Sequence, residues 1–275
     1  MASLLTPVPD APALLLESEE DGERTLVLAD LHLGLGASSD RPGGPPEASG
    51  STLALDLVDL TRTQRAARVV IAGDVKHPIV GTPPGLRSVI FDFFSLLLAN
   101  GIGAEVVLGN HDVGLVRHLP REVVVHPATG VVLHQVGIFH GHCWPSNRVL
   151  RAPRLIVGHL HPGFRLAPSP DDPLGKRRCW VRLELTPPTR PSRRRRRHIA
   201  PRANELIVLP AFNPLAGVEA LNRERPARGR SFLYGRFLSR GTARAYLLDG
   251  TDLGVLNLPP PKVPARATDG ARRGR

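Results

Sequence analysis

The sequence of 275 residues predicts an α/β protein with helices layered on a mainly β interior, and three observations carry that expectation. Between Thr25 and Asp112, apolar runs of strand length alternate with longer amphipathic runs of helix length. Beyond Pro162 the pattern becomes almost wholly short β-like runs separated by Pro, Gly and basic residues. An apolar content of 41% supports a real buried core at this chain length.

Taken in order, residues 1–23 read as a mixed extension whose acidic ESEEDGE stretch ends where the domain begins, near residue 24. TLVLA (25–29) has the length and branching of a buried strand. The Pro/Gly-rich segment 41–50 reads as a long loop beside the first motif, a place where loops often border a site. LALDLVDLTRTQRA (53–66) is an amphipathic helix, and ARVVIA (67–72) a second strand. PGLRSVIFDFFSLLLAN (84–100) is a helix opened by proline, followed by the strand AEVVL (104–108). VVVHP (123–127), GVVLHQVGIF (130–139), RLIV (154–157), CWVRLEL (179–185), ELIVLPAF (205–212), RSFLYGRF (230–237) and ARAYLLDG (243–250) supply β runs. The domain is thus expected over 24–257, with a basic loop inserted at about 187–202 and a disordered basic tail over 258–275.

No apolar run approaches the roughly 18 to 20 residues of a membrane span, and no basic stretch followed by an apolar run opens the chain. A cytoplasmic protein that does not enter the membrane is expected. Cys143 and Cys179 form no CxxC pair and read as ordinary thiols. The net charge of +11 is unevenly spread: residues 1–175 hold 13 Lys and Arg against 18 Asp and Glu, whereas residues 176–275 hold 23 against 7. Arg193, Arg194, Arg195, Arg196 and Arg197, set among prolines, repel one another and belong on an exposed loop. Such a run suits a phosphate-rich polymer, DNA or RNA, and suits equally a merely solvated insertion.

Five apolar runs end in metal-ligand residue types: Asp30-Leu-His32, Gly73-Asp74, Gly109-Asn110-His111-Asp112, His140-Gly-His142 and Gly158-His159-Leu-His161. Ligands bind beyond the carboxyl ends of strands in α/β sheets, so these termini can meet in one pocket. Seven of the eleven histidines fall in or beside these motifs, which chance placement does not explain. Carboxylates, an amide and imidazoles together suit transition metals better than calcium.

The ordered set DLH, GD, GNHD, HGH and GHLH resembles the calcineurin-like metallophosphoesterase superfamily over Asp30 to His161. The forms LADLHLG, GDVKH, GHLHP and LPAFNPLAG resemble more narrowly the archaeal phosphoesterases related to the SbcD nuclease and the bacterial ones associated with DNA ligase. The resemblance implies a four-layer αββα sandwich of two mixed sheets flanked by helices. It implies two divalent ions, manganese first, with iron, zinc or nickel as alternatives. Asp30, His32 and His161 would hold one ion, Asn110, His140 and His159 the other, with Asp74 between both. The implied activity is hydrolysis of a phosphodiester or phosphomonoester by hydroxide held between the ions, on nucleic acid or nucleotides; the alternative is a nucleic-acid-binding or scaffold protein whose metal site is not catalytic.

His111 is then free to stabilise the phosphoryl group or protonate the leaving oxygen. Asp112 would fix its tautomer, or else cap the next helix. His142 would approach the metals or hydrogen-bond a ligand. Lys76 and His77 would contact substrate phosphate or belong to loop surface, and Trp144 would stack on a base or pack internally.

Overall fold

A computed structural model of the chain describes residues 3–35, 50–167, 175–185, 202–222 and 241–256. The arginine run 193–197, the segment 230–237, and the tail from 257 lie outside the described residues.

The first sheet has six strands in chain order: β1 (Ser3–Pro7), β2 (Leu14–Ser18), β3 (Arg24–Leu28), β4 (Arg68–Ile71), β5 (Gly103–Val107) and β6 (Val124–His126). Its first two pairings are antiparallel and the rest parallel. The first two parallel crossovers are made by α1 (Gly50–Thr63) and α2 (Pro84–Ala99), and the third, from β5 to β6, contains a short 3-10 turn at Leu115–His118. Pro84 opens α2 where no intrahelical donor is needed, and Gly101, at φ 73°, follows its end. Leu86, Ile90, Phe93, Phe94 and Leu97 form the buried face of α2 and join Leu26, Leu28, Val69 and Ile71 in one core.

The second sheet contains β7 (Val131–Leu133), β8 (Val136–Phe139), β9 (Arg154–Val157), β10 (Pro162–Arg165), β11 (Lys176–Leu185), β12 (Glu205–Val208) and β13 (Glu219–Ala220), ordered 13-10-11-12-9-8-7. The strands β14 (Gly241–Leu247) and β15 (Asp252–Val255) continue from β11. Residues alternate between faces with period two. Val27, Ala29, Val70 and Ala72 face Ile138, Ile156, Trp180 and Ile207 in the core between the sheets. Leu155, Val157, Val181, Leu183 and Leu206 point to the outer side, where α3 (Asn147–Leu150) contributes Val149 and Leu150. The molecule is therefore an α/β sandwich of two mixed sheets; among the described residues the helical cover of the second sheet is this single short helix.

One boundary is corrected. Residues 3–18 were expected outside the domain, yet β1 and β2 form an edge of the first sheet. Leu14 and Leu16 enter the inter-sheet core while Leu15 enters the other, so a three-leucine run is buried on both faces. The acidic ESEEDGE stretch (17–23) ends β2 and makes the turn into β3, closed by Ser18 N–H to the Glu23 carbonyl at 2.9 Å.

Candidate metal centre

The five motifs follow β3, β4 and β5 of one sheet and β8 and β9 of the other. The pocket is thus assembled by two sheets whose parallel strands end together, three termini from the first and two from the second. Backbone bonds tie the first two motif loops side by side: Asp30 N–H to Gly73 O at 3.0 Å, His32 N–H to Asp74 O at 2.9 Å and Leu33 N–H to Val75 O at 2.8 Å. Asp30, His32, Asp74, His159 and His161 all adopt positive φ, between 41° and 71°. This region is costly for residues with a side chain, and strained residues of this kind concentrate at functional sites. Two glycines make the close approach possible. A Cβ on Gly73 would lie 2.3 Å from His140 Nδ1, and one on Gly109 would lie 2.2 Å from Asp74 Oδ1.

The side chains gather into three groups of three: two each contain a carboxylate, Asp30 with His32 and His161, and Asp74 with His140 and His159, and the third, His32 with His77 and His111, is all imidazole. Asp74 stands between them: its Oδ2 is 3.2 Å from His140 Nε2, 3.8 Å from His111 Nε2 and 3.9 Å from His32 Nε2. Asn110 Oδ1 is 3.2 Å from His140 Nε2, which puts Asn110 with the second group. Asp30 and His140 form a fully buried floor, while Asn110, His111, His159 and His161 reach toward solvent.

The donor set fits divalent cations. The Asp30 Oδ1 atom is buried without a hydrogen bond and faces His161 Nε2 at 3.3 Å. His32 Nε2 and His161 Nε2 point at one another from 3.2 Å, close to the roughly 3 Å between neighbouring donors on one transition-metal ion. Backbone carbonyls, which only accept, set two tautomers: His140 Nδ1–H donates to Ala72 O at 2.8 Å and His161 Nδ1–H to Gly217 O at 3.0 Å. Both rings therefore turn Nε2 inward, the arrangement that metal-ligating histidines adopt.

The electrostatics agree. Burial alone would lower His140, but the hydrogen bond and charge of Asp74 raise it to about 9. Burial likewise opposes protonation of His161, and Asp30 raises it nevertheless. The two carboxyls, which burial would raise, are held below the usual range, Asp30 by His161 and Asp74 by His140. Burial pushes His32 and His159 down to about 4. Each carboxylate favours positive charge on the imidazole beside it, the same neutralisation that a bound divalent cation would supply.

Two expected roles are corrected. The buried Asp112 carboxylate does not orient His111; it accepts N–H groups of Gly109 at 2.8 Å, Asp74 at 2.9 Å, Val75 at 2.9 Å and Lys76 at 3.4 Å. It clamps the second motif loop to the third, and no short-range signal marks which amides a loop aspartate will bind. His111 Nδ1 is met instead by the His77 carbonyl. Nor does Lys76 face the pocket. It is fully buried, and its ammonium donates to the carbonyls of Pro78, Ile79 and Gly81.

The remaining expectations divide. The His77 ring is 5.5 Å from that of His32 and stacks on His111 at 6.0 Å, beside the first group. His142 lies 5.3 Å from His140 and 6.3 Å from His159 by ring centroids, and its buried Nδ1 has no hydrogen-bond partner. Trp144 packs on the outer core of the second sheet. Asn213 was not singled out, yet it is buried and donates through Nδ2 to Leu31 O at 2.8 Å. The nearby amides of Phe212 and Asn213 reach Ala29 O and Asp30 O at 2.9 and 3.4 Å. The LPAFNPLAG stretch that contains it was the available signal.

No protein-family model matches the chain, and no curated protein matches it. Among solved structures it is similar to the crystal structure of Pseudomonas putida nuclease MPE, with a TM-score of 0.53, 18% identity, and coverage of 91% of this chain and 100% of that one. At that identity the likeness is one of fold, the two-sheet α/β sandwich described above.

Proposed function

We propose that the protein is a metal-dependent phosphoesterase, and within that class a nuclease related to the SbcD-like enzymes its motifs resemble. One observation carries the reading: two Asp/His groups and Asn110 converge around a single buried carboxylate, Asp74, at the shared strand ends of both sheets. The fold neighbour is itself a nuclease, which favours nucleic acid within the phosphoesterase class.

Asp30, His32 and His161 would hold one divalent ion and Asn110, His140 and His159 a second, with Asp74 shared. When bound, such ions neutralise phosphate charge and lower the pKa of water so that hydroxide exists near neutral pH. The chain's own residues do the remaining work. Ala72 O and Gly217 O fix imidazole tautomers, and the Asp112 clamp keeps Asp74 and Asn110 in register. His111 presents Nε2 to the pocket because its Nδ1 is engaged by the His77 carbonyl; as an imidazolium it can deliver a proton to the leaving oxygen.

Chelator-stripped protein should be inert toward bis-p-nitrophenyl phosphate and recover on adding Mn(II), and titration should saturate at about two ions per chain. A single site in fully reconstituted active protein, or affinity unchanged by His159→Ala, sinks the two-ion assignment.

The excess of positive charge in residues 176–275 further supports a polyanionic substrate. Replacing the five arginines at 193–197 by serine should weaken DNA or RNA binding and flatten its salt dependence, with cleavage of the small diester unchanged. Identical polymer affinity and salt slope would make a small-molecule phosphoesterase the better reading.

A further inference from the structure

We infer that Lys76 is a positioning residue: by gathering the carbonyls of Pro78, Ile79 and Gly81 it places the His77 carbonyl that orients His111. The inference deepens the proposed function and rests on the role given there to His111.

A buried ammonium is expensive unless its donors are satisfied. Lys76 is fully buried, and its three donors meet three carbonyl oxygens, those of Pro78, Ile79 at 3.3 Å and Gly81 at 3.1 Å. Its long-range attraction comes from Asp112 and Asp74. A carbonyl cage of this kind cannot bind substrate phosphate, since no donor is left over. Its structural effect falls on the loop.

That loop has little else to hold it. Ile79 is 51% exposed, Val80 is 88% exposed, and Gly81 is exposed at φ 74°, so apolar burial does not define its path. It is pinned at one end by His77 N–H to Leu33 O at 2.9 Å and at the other by Arg87 Nε–H to Thr82 O at 2.8 Å. Between these anchors the ammonium draws three carbonyls inward. The His77 carbonyl, at the start of the same loop, meets His111 Nδ1. A carbonyl only accepts, so Nδ1 keeps its proton and Nε2 faces the pocket, 3.8 Å from Asp74 Oδ2. Lys76 thereby acts on the proton donor through one intervening carbonyl, without contacting the reacting atoms.

Lys76→Met keeps the alkyl volume and removes all three donors. With Mn(II) and a diester of poor leaving group, kcat should fall about 10- to 100-fold, the scale of a small misplacement of a catalytic group, with KM changed less than about threefold. Metal stoichiometry and the melting transition are measured alongside, and Lys76→Gln, which retains donors, should recover part of kcat. The deciding measurement is a double-mutant cycle: in a His111→Ala background, Lys76→Met should alter kcat by less than about twofold. The same fold-loss in both backgrounds, or no loss in the wild-type background, overturns the inference. If His111→Ala is as active as wild type, the proposed role of His111 fails instead. Nitrogen-15 spectra of zinc-loaded protein then decide the placement alone: His111 must be Nδ1-protonated in the wild type and lose that form in Lys76→Met, and an unchanged tautomer refutes it.

Discussion

Asp74→Ala should abolish metal-supported hydrolysis, by at least about a thousandfold, the upper range for removing one electrostatic group from a site of charge development. The expectation follows from its place between the two Asp/His groups, with Oδ2 near His140, His111 and His32 and Oδ1 accepting the His111 amide at 2.9 Å. Among the described residues no neighbouring carboxylate can substitute, since Asp30 belongs to the other group and accepts His159 N–H, and Asp112 is engaged by loop amides. The substitution also removes the partner that raises His140 to about 9, so a buried imidazole loses the charge that held its proton. Metal titration should show a loss of bound ions together with activity, while polymer binding persists if the basic segment carries it. Hydrolysis and stoichiometry that survive in Asp74→Ala would remove this carboxylate from the centre of the site.

His111→Ala should behave differently, keeping its metal and losing turnover by about two to four powers of ten. The ring belongs to neither of the two groups around Asp30 and Asp74, and its backbone amide rather than its imidazole bonds Asp74. It does form a further cluster with His32 and His77, 4.9 Å from the first and 6.0 Å from the second by ring centroids, so ion content must be measured and not assumed. If the ring donates a proton to the leaving oxygen, the loss should be mild for p-nitrophenyl phosphate and severe for an alkyl diester. Equal losses for both would leave only charge stabilisation on the phosphoryl oxygens. Loss of an ion would recast His111 as a ligand.

Strand-length apolar runs ending in DLH, GD, GNHD, HGH and GHLH were legible because burial periodicity and chain order are local properties. The same locality hid the edge strands. Leu14, Leu15 and Leu16 look like a short mixed segment, and only pairing with β3 shows that both of their faces are covered. That the motif termini divide between two sheets is likewise a matter of topology, since a strand end does not carry the identity of the sheet it joins.

The clearest contrast lies in GDVKH and GNHD. Residue type and order were enough to nominate Asp74, Asn110 and His111 for chemistry, because carboxylate, amide and imidazole have fixed donor properties wherever they stand. They were not enough to say that Asp112 would be consumed by four backbone amides, that Lys76 would turn inward to a carbonyl cage, or that His77 would offer its carbonyl to His111. Those outcomes depend on where unpaired backbone groups of several loops fall once two sheets have packed, because a buried backbone donor or acceptor is costly to leave without a partner. Composition and order dictated the chemical groups available to the site; packing chose which of them face the pocket and which hold the loops that form it.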